Sequence, residues 1–442
     1  MLDTEKLLKN LYMFEIKGNY CKNCIVYADT IEDEAISTIQ GICDNPAFKD
    51  SKIRIMPDCH QGKGIVIGFT CPMGNYVNPS HVGVDIGCSM TSIRLSKPLE
   101  EKKYPTFERK LRNNIPTGFN IQPRKVFEDK DFYKFLNKEY QKARSSCPEM
   151  IKEIDPINEN SITKLCQRIG MDEGIFYKSL GSIGAGNHFL EYGISDSGEA
   201  WFTIHCGSRN FGVKVANYWI SQGKKPDIDE IRKEIEKIKE TVSDKTLWEG
   251  LIKEARSKMM PSGYLTGENL RGYLSDMVIA QAYAKFNHFV ISDLVLEILK
   301  GFGISEKERI FTTHNYISFE DHIIRKGAIQ SYSGRKMIIP FNMRDGLAIC
   351  EGKSNQDWNF SAPHGAGRIM SRTAARKNID VEEFKKSMEG IYSTSVGLGT
   401  IDESPMVYKN TEEIIKLISP TANILFFVRP KINIKSKDTM ED

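Results

Sequence analysis

No stretch of this 442-residue chain approaches the roughly 18 consecutive apolar residues that a bilayer span requires, so a transmembrane role is not expected. The opening MLDTEKLLKN lacks the basic start and apolar run of a secretory signal. Strong charge of one sign is missing as well: 61 Lys and Arg against 58 Asp and Glu leave a formal net charge of +3. Any contact with nucleic acid must then come from a local basic patch and not from the chain's overall field. Tandem repeats and low-complexity linkers are absent. The glycine-rich GSIGAG (181–186) is not a GxGxxG, and no Walker lysine follows it, which argues against Rossmann and P-loop nucleotide sites. Cys21 and Cys24 form a CxxC with no second pair nearby, so an incidental pair is expected and not a zinc site. With no secretory start, the ten cysteines are expected to be reduced thiols of a cytoplasmic protein, most of them packed as small hydrophobes.

What is present is an ordinary globular composition, 40% hydrophobic and 27% charged, on a chain long enough for a large buried core. Residues 53–97 alternate short β-rich runs (IRIM, IVIGFT, TSIRL) with Gly, Pro and Asn turns and read as strands and tight loops. Helical patterns fall in ERKLRNNIP and DFYKFLNKEYQKAR. Residues 181–215 read as Gly-rich loops joined by strands. The charged stretch 227–258 has the Ile and Leu spacing of an amphipathic helix or helical pair, expected as a solvated insertion at about 225–260. A further helix is expected at 268–300, and β-rich segments with Gly loops from 308 to 375. VEEFKKSMEGIY and TEEIIKLIS read as helices, and ILFFVRPKINI as a closing strand. The expectation is α+β: one large domain over 1–442 with a helical insertion.

Glycine clusters in five segments that each carry a reactive side chain: MPDCHQGKG, HVGVDIGCSM, GSIGAGNHFLE, HCGSRNFG and APHGAGR. Glycine loses the most backbone entropy on folding, so its density beside His, Cys, Asp and Asn points to loops that approach a ligand closely. Asp85 and Cys88 lie three apart, and His188, His205 and His314 sit in Gly-rich or β-rich loops. Imidazole, thiolate and carboxylate together suit borderline metals better than Mg or Ca. Five such donors are enough for two metals that share a ligand, an arrangement suited to phosphoryl chemistry. Lys63, Arg209, Arg325, Lys326, Arg368 and Arg372 lie beside these loops and are candidates for polyphosphate or RNA backbone. His364 in PHGAGRIMSR is open to three roles: ligand, base or nucleophile toward phosphorus.

In this order, MPDCHQGKG, HVGVDIGCSM, GSIGAGNHFLE, HCGSRNFG, THNYIS, RKGAI and PHGAGRIMSR resemble the motif set of RtcB-type RNA-splicing ligases, from about residue 25 to about 435. The resemblance implies that fold and a GTP-dependent joining of RNA 3′-phosphate or 2′,3′-cyclic phosphate ends to 5′-hydroxyl ends, in RNA repair or tRNA splicing. It implies that Asp85, Cys88, His188, His205 and His314 hold two Mn(II) ions bridged by Cys88, and that His364 becomes guanylylated. It also implies contacts to bound GMP from Asn187, His188, Glu191, Lys435 and the Gly365, Ala366 and Gly367 loop, with Glu191 and Lys435 at the guanine. RNA contacts would come from Lys63, Arg209 and Arg368. RNA carrying such ends is the implied partner, with room for a protein activator and no membrane.

Two segments depart from the family pattern. IPFNMRDG (339–346) replaces a PGSM segment that bears a serine near the nucleotide, and SKDTMED continues past Lys435 where the family usually stops. Both suggest a divergent branch. Two rival functions use the same residues. A metal-dependent RNA-end phosphoesterase would never guanylylate His364, and a non-catalytic RNA-end binding protein would have no need of the full donor set.

Overall fold

The computed structural model describes residues 13–223, 228–258 and 263–438. MLDTEKLLKN, the ends of the 225–260 insertion and the last four residues of SKDTMED lie outside the described residues. In chain order the strands are β1 (Phe14–Ile16), β2 (Asn23–Val26), β3 (Lys52–His60), β4 (Ile67–Pro72), β5 (Ser89–Leu95), β6 (Phe189–Ser195), β7 (Ala200–Cys206) and β8 (Glu306–Thr313). They continue as β9 (Asn315–Ile317), β10 (Ile323–Lys326), β11 (Ala328–Gln330), β12 (Lys336–Asn342), β13 (Gly346–Gly352), β14 (Ser361–Pro363) and β15 (Ala422–Ile434). They form a seven-stranded sheet β12-β13-β15-β6-β7-β5-β8, a six-stranded sheet β1-β2-β3-β4-β10-β9 and a β11-β14 ribbon. With the helices packed around them, this is the expected α+β architecture.

The strands follow from β-branched and aromatic runs, and the central strands β5, β6 and β7 bury side chains on both faces. Every residue of β7, AWFTIHC, is buried, as a strand covered by protein on both sides requires. The helix Gly267–Lys300 explains one of the covers. It is apolar nearly all round, with Tyr273, Leu274, Met277, Ala280, Tyr283, Ala284 and Ile291 each fully buried, the pattern of a helix that runs through a core and not along a surface. The pair Ile228–Thr241 and Trp248–Lys258 matches the helical pair expected there. No helix among the described residues is long and apolar enough to cross a membrane.

One reading is corrected. Residues 181–215 are not all loop and strand, because a helix runs from Arg209 to Gln222. Phe211, Val215 and Trp219, four apart, bury one face of it. The glycines of HCGSRNFG masked this spacing in the sequence. A second helix, Asp33–Cys43, buries Ala35, Ile39, Ile42 and Cys43 in the same way.

The seven-stranded sheet decides where the site lies. β6, β7, β5 and β8 are neighbours and all antiparallel. The starts of β5 and β6 therefore lie beside the ends of β7 and β8. Cys88 immediately precedes β5, His188 precedes β6, His205 is in the last turn of β7, and His314 follows β8. Antiparallel alternation alone brings four distant donors to one sheet edge.

Candidate metal and nucleotide site

At that edge Cys88 Sγ lies 3.4 Å from His188 Nε2 and 3.4 Å from His205 Nε2. His205 Nε2 lies 3.3 Å from His314 Nε2, and His188 Nε2 lies 3.1 Å from Asp85 Oδ2. Cys88, His188 and His205 form a group of donors close enough to hold one metal ion. Asp85 and His314 extend it at either end. The backbone fixes the loops that carry these groups: His314 N–H donates to Cys88 O at 3.0 Å, and Gly87 N–H to Asn315 O at 2.7 Å. Ser208 N–H donates to Asp85 Oδ1 at 3.0 Å. Gly207 is required here, since a Cβ on it would overlap the Asp85 carboxylate.

The protonation chemistry fits a cation. His205 Nδ1 faces the carbonyl of Asn187 at 3.1 Å. A carbonyl only accepts, so the ring proton sits on Nδ1 and Nε2 presents a bare lone pair to the cluster. Burial, and then the other histidines, holds His205 and His314 well below the usual imidazole range, so both are neutral ligands. Burial tends to raise Asp85, but the hydrogen bond and charge of His188 outweigh it and bring the carboxyl down to about 2. Burial and the Asp85 charge push the Cys88 thiol well above its ordinary value, a preference that a divalent cation reverses. Lone pairs crowded on one point, with few protons between them, are what a borderline metal satisfies. The residues present fit one.

His364 stands next to this group, immediately after β14, its ring centroid 4.8 Å from that of His314. Its backbone N–H and its Nδ1 both reach Asp58 Oδ2, at 3.1 and 2.6 Å. Asp58 is fully buried in β3. A carboxylate oxygen facing a ring nitrogen accepts, so Nδ1 donates to Asp58, and in the neutral imidazole Nε2 is then the bare nitrogen. Gly367, at φ +78°, lets the 365–367 loop lie against the backbone of Asp58, where a Cβ would clash. Asp58 lies inside MPDCHQGKG, where nothing local marks it as the partner of His364. The signal was a carboxylate beside the reactive histidine, 306 positions away in sequence.

These groups open into a cleft of about 960 Å³. It is lined by Asp85, Cys88, His205, His314 and His364, by Gly365, Ala366 and Gly367, and by Asn187, Glu191 and Lys435. Burial raises the Glu191 carboxyl to about 8, against the lowering effects of Asn433 and Lys435. Lys435 Nζ is tied to Glu403 at 3.0 Å and to the Gly186 carbonyl at 3.2 Å. Lys63 lines the cleft and is exposed. Arg368 also lines it, but donates to the Asp402 carbonyl and pairs with Glu403.

Arg209 does not line the cleft. Its guanidinium turns to Ser182 and to the carbonyls of Gly118 and Asn120. Arg325 is fully buried on Asp321, at 2.7 Å, and Ser361, a structural ion pair. Lys326 donates to the carbonyls of Lys63, Ile65 and Ser80 and braces the segments on either side of β4. In the segment that departs from the family pattern, Phe341 is buried, and Asn342 caps the turn through Arg344 N and Asp345 N. Cys21 and Cys24 are free and buried, like the other eight cysteines.

A family model described as "tRNA-splicing ligase RtcB" matches residues 43–436. The RNA-splicing ligase RtcB of Escherichia coli is 27% identical over 411 residues, covering 87% of this chain and 90% of its own. The tRNA-splicing ligase RtcB of Archaeoglobus fulgidus is 24% identical over 494 residues, covering 94% and 96%. The RNA-splicing ligase RtcB homolog 1 of Entamoeba histolytica is 24% identical over 501 residues, covering 98% and 87%. The match to the family spans the strands and loops that assemble the donor cluster and carry His364, and the chain belongs to the RtcB family.

Proposed function

We propose that this chain is an RNA ligase that uses GTP to join RNA 3′-phosphate or 2′,3′-cyclic phosphate ends to 5′-hydroxyl ends, through GMP held covalently on His364. The observation that carries the reading is the bare Nε2 of His364, oriented by Asp58 and facing the same cleft as the His/Cys/Asp cluster.

His364 acts as the nucleophile. Its Nε2 lone pair bonds to the α-phosphorus of GTP while the bond to the pyrophosphate oxygen breaks, and pyrophosphate leaves with the electron pair. Nδ1 keeps its proton, and Asp58 stabilises the positive charge that the ring acquires. An RNA 3′-phosphate oxygen then attacks the same phosphorus. The N–P bond breaks, the imidazole is restored, and GMP caps the RNA end. The RNA 5′-hydroxyl oxygen attacks the RNA phosphorus, its proton passes to solvent, and GMP leaves with the electron pair of the broken P–O bond. A 2′,3′-cyclic phosphate is first hydrolysed to the 3′-phosphate. Asp85, Cys88, His188, His205 and His314 would hold two Mn(II) ions, which supply Lewis-acid charge at the phosphates when bound.

Asn187 and the backbone N–H groups of 365–367 bind phosphate in this reading, and Glu191 and Lys435 face the base. Lys63 at the rim meets the RNA backbone, while Arg368, tied to Asp402 and Glu403, and Arg209, tied to Ser182 and Gly118, hold neighbouring loops. The test is incubation with Mn(II) and α-labelled GTP, denaturation, and detection of label on protein. Label that is absent in His364→Ala is the expected result. Wild-type protein that never takes label, yet trims RNA ends, would establish the phosphoesterase instead.

A further inference from the structure

The cleft wall formed by β6 and β15 carries two buried oxygens with no partner. Glu191 and Asn433 are directly opposed across these antiparallel strands. The Asn433 amide N–H donates to Glu191 Oε2 at 2.8 Å. Oε2 is the accepting oxygen of this bond, so it takes the amide N–H and Asn433 Oδ1 is directed away from it. Glu191 Oε1 and Asn433 Oδ1 are then both buried and both without a partner. The residues are 3% and 1% exposed, and both line the cleft. Lys435, the nearest cation, is committed to Glu403 and to the Gly186 carbonyl. Native interiors rarely leave such atoms unpaired, and two of them side by side mark a place for a ligand edge with two neighbouring donors.

Guanine has that edge in its N1–H and 2-amino groups. Adenine presents a ring-nitrogen acceptor and a C–H there, and hypoxanthine keeps N1–H but lacks the amino group. We propose that Asn433 determines nucleotide specificity: its Oδ1 accepts from the 2-amino group of guanine while the Glu191 carboxylate, its proton released to solvent, accepts from N1–H. This rests on the guanine-nucleotide reading of the cleft given above. A site built to hydrogen-bond a substrate N–H rejects the analogue without it, because its own buried acceptor is left unpaired.

The test is calorimetric titration of the full Mn(II)-loaded chain with GMP and with IMP, which differ only in that amino group. Wild-type protein is expected to bind GMP about five- to tenfold more tightly, the contribution of one hydrogen bond. Asn433→Leu weakens GMP to the IMP value and leaves IMP unchanged. Asn433→Ala gives the same result should the bulkier variant fold poorly. Equal affinities in the wild type, or a GMP preference that survives in either variant, would overturn the assignment. A residue with only a structural role would lower both affinities together and keep their ratio. A protein that prefers GMP over IMP in this way yet never labels with GTP sinks the ligase reading and leaves this one standing.

Discussion

Two groups of buried polar side chains meet at the cleft, and they are satisfied on opposite terms. On one wall, Glu403 accepts from Arg372 at 2.6 Å, Tyr408 at 2.7 Å, Lys435 at 3.0 Å and Arg368 at 3.4 Å. Asp402 beside it takes Arg372 at 2.8 Å and Arg376 at 3.1 Å. Burial tends to raise Glu403, but Lys435, Arg372 and Arg368 outweigh it and hold the carboxyl well below the usual range. On the other wall, a thiol and the Nε2 atoms of three imidazoles crowd together with a single carboxylate. The first group is closed by the protein itself. The donors of the second are arranged for a cation that the chain's own side chains do not supply. A buried charge is therefore no sign of a ligand, whereas a buried lone pair without a proton is one.

The strongest way to break this contrast is at the shared sulfur. Cys88→Ala is expected to abolish Mn(II) binding in equilibrium dialysis and to reduce ligation to background, with an unchanged far-UV spectrum. A variant that still bound metal would show that the imidazoles suffice. Next comes Asp58→Asn, which keeps the shape beside His364 but removes the charge that fixes its tautomer. Labelling by GTP should fall by about 10³-fold, while metal binding is retained. Equal losses of both would make Asp58 a folding residue and not a positioning one.

Much of the donor cluster was legible because glycine next to His, Cys and Asp is expensive unless a loop must approach something. The convergence of the cluster was not legible. Cys88 and His314 are 226 positions apart, and what joins them is the antiparallel order β6-β7-β5-β8, which no local pattern encodes. Asp58 was hidden for the same reason, being carried on a different sheet from the strand before His364. The long helix at 267–300 was readable from its length and apolar content, but the Arg209–Gln222 helix was obscured by Gly207 and Gly212. Arg368 shows the opposite limit. Its place beside a Gly/His loop suggested RNA, and only the fold reveals Glu403 waiting for it.

Glu403→Gln sharpens the contrast from the closed side. It leaves Arg368, Arg372 and Lys435 with reduced compensation in a buried place, at a cost of about 3 kcal/mol. Urea unfolding would register this as a lower midpoint with an unchanged slope. Mn(II) binding should be unaffected, because none of the donors touches Glu403. A stability loss matched by a loss of metal would mean that the two walls are one unit.

The smallest effect lies at Glu191, between the two groups. Its carboxyl is raised to about 8 by burial, against an ordinary value of 4.5. The folded chain thus holds a proton there that the unfolded chain has released, from about pH 4.5 to about pH 8. Stability associated with this residue falls as pH rises through that window and is level on either side of it. Glu191→Gln removes the titration but keeps a carbonyl for the Asn433 amide, and Lys435, the other charged group acting on it, stays with Glu403. The difference in Tm between variant and wild type should therefore grow steadily between about pH 5 and pH 8. A difference that stays constant would mean that Glu191 is already ionised in the folded protein, drawn down by Lys435, and that this stretch of wall belongs with the closed group and not with the open one.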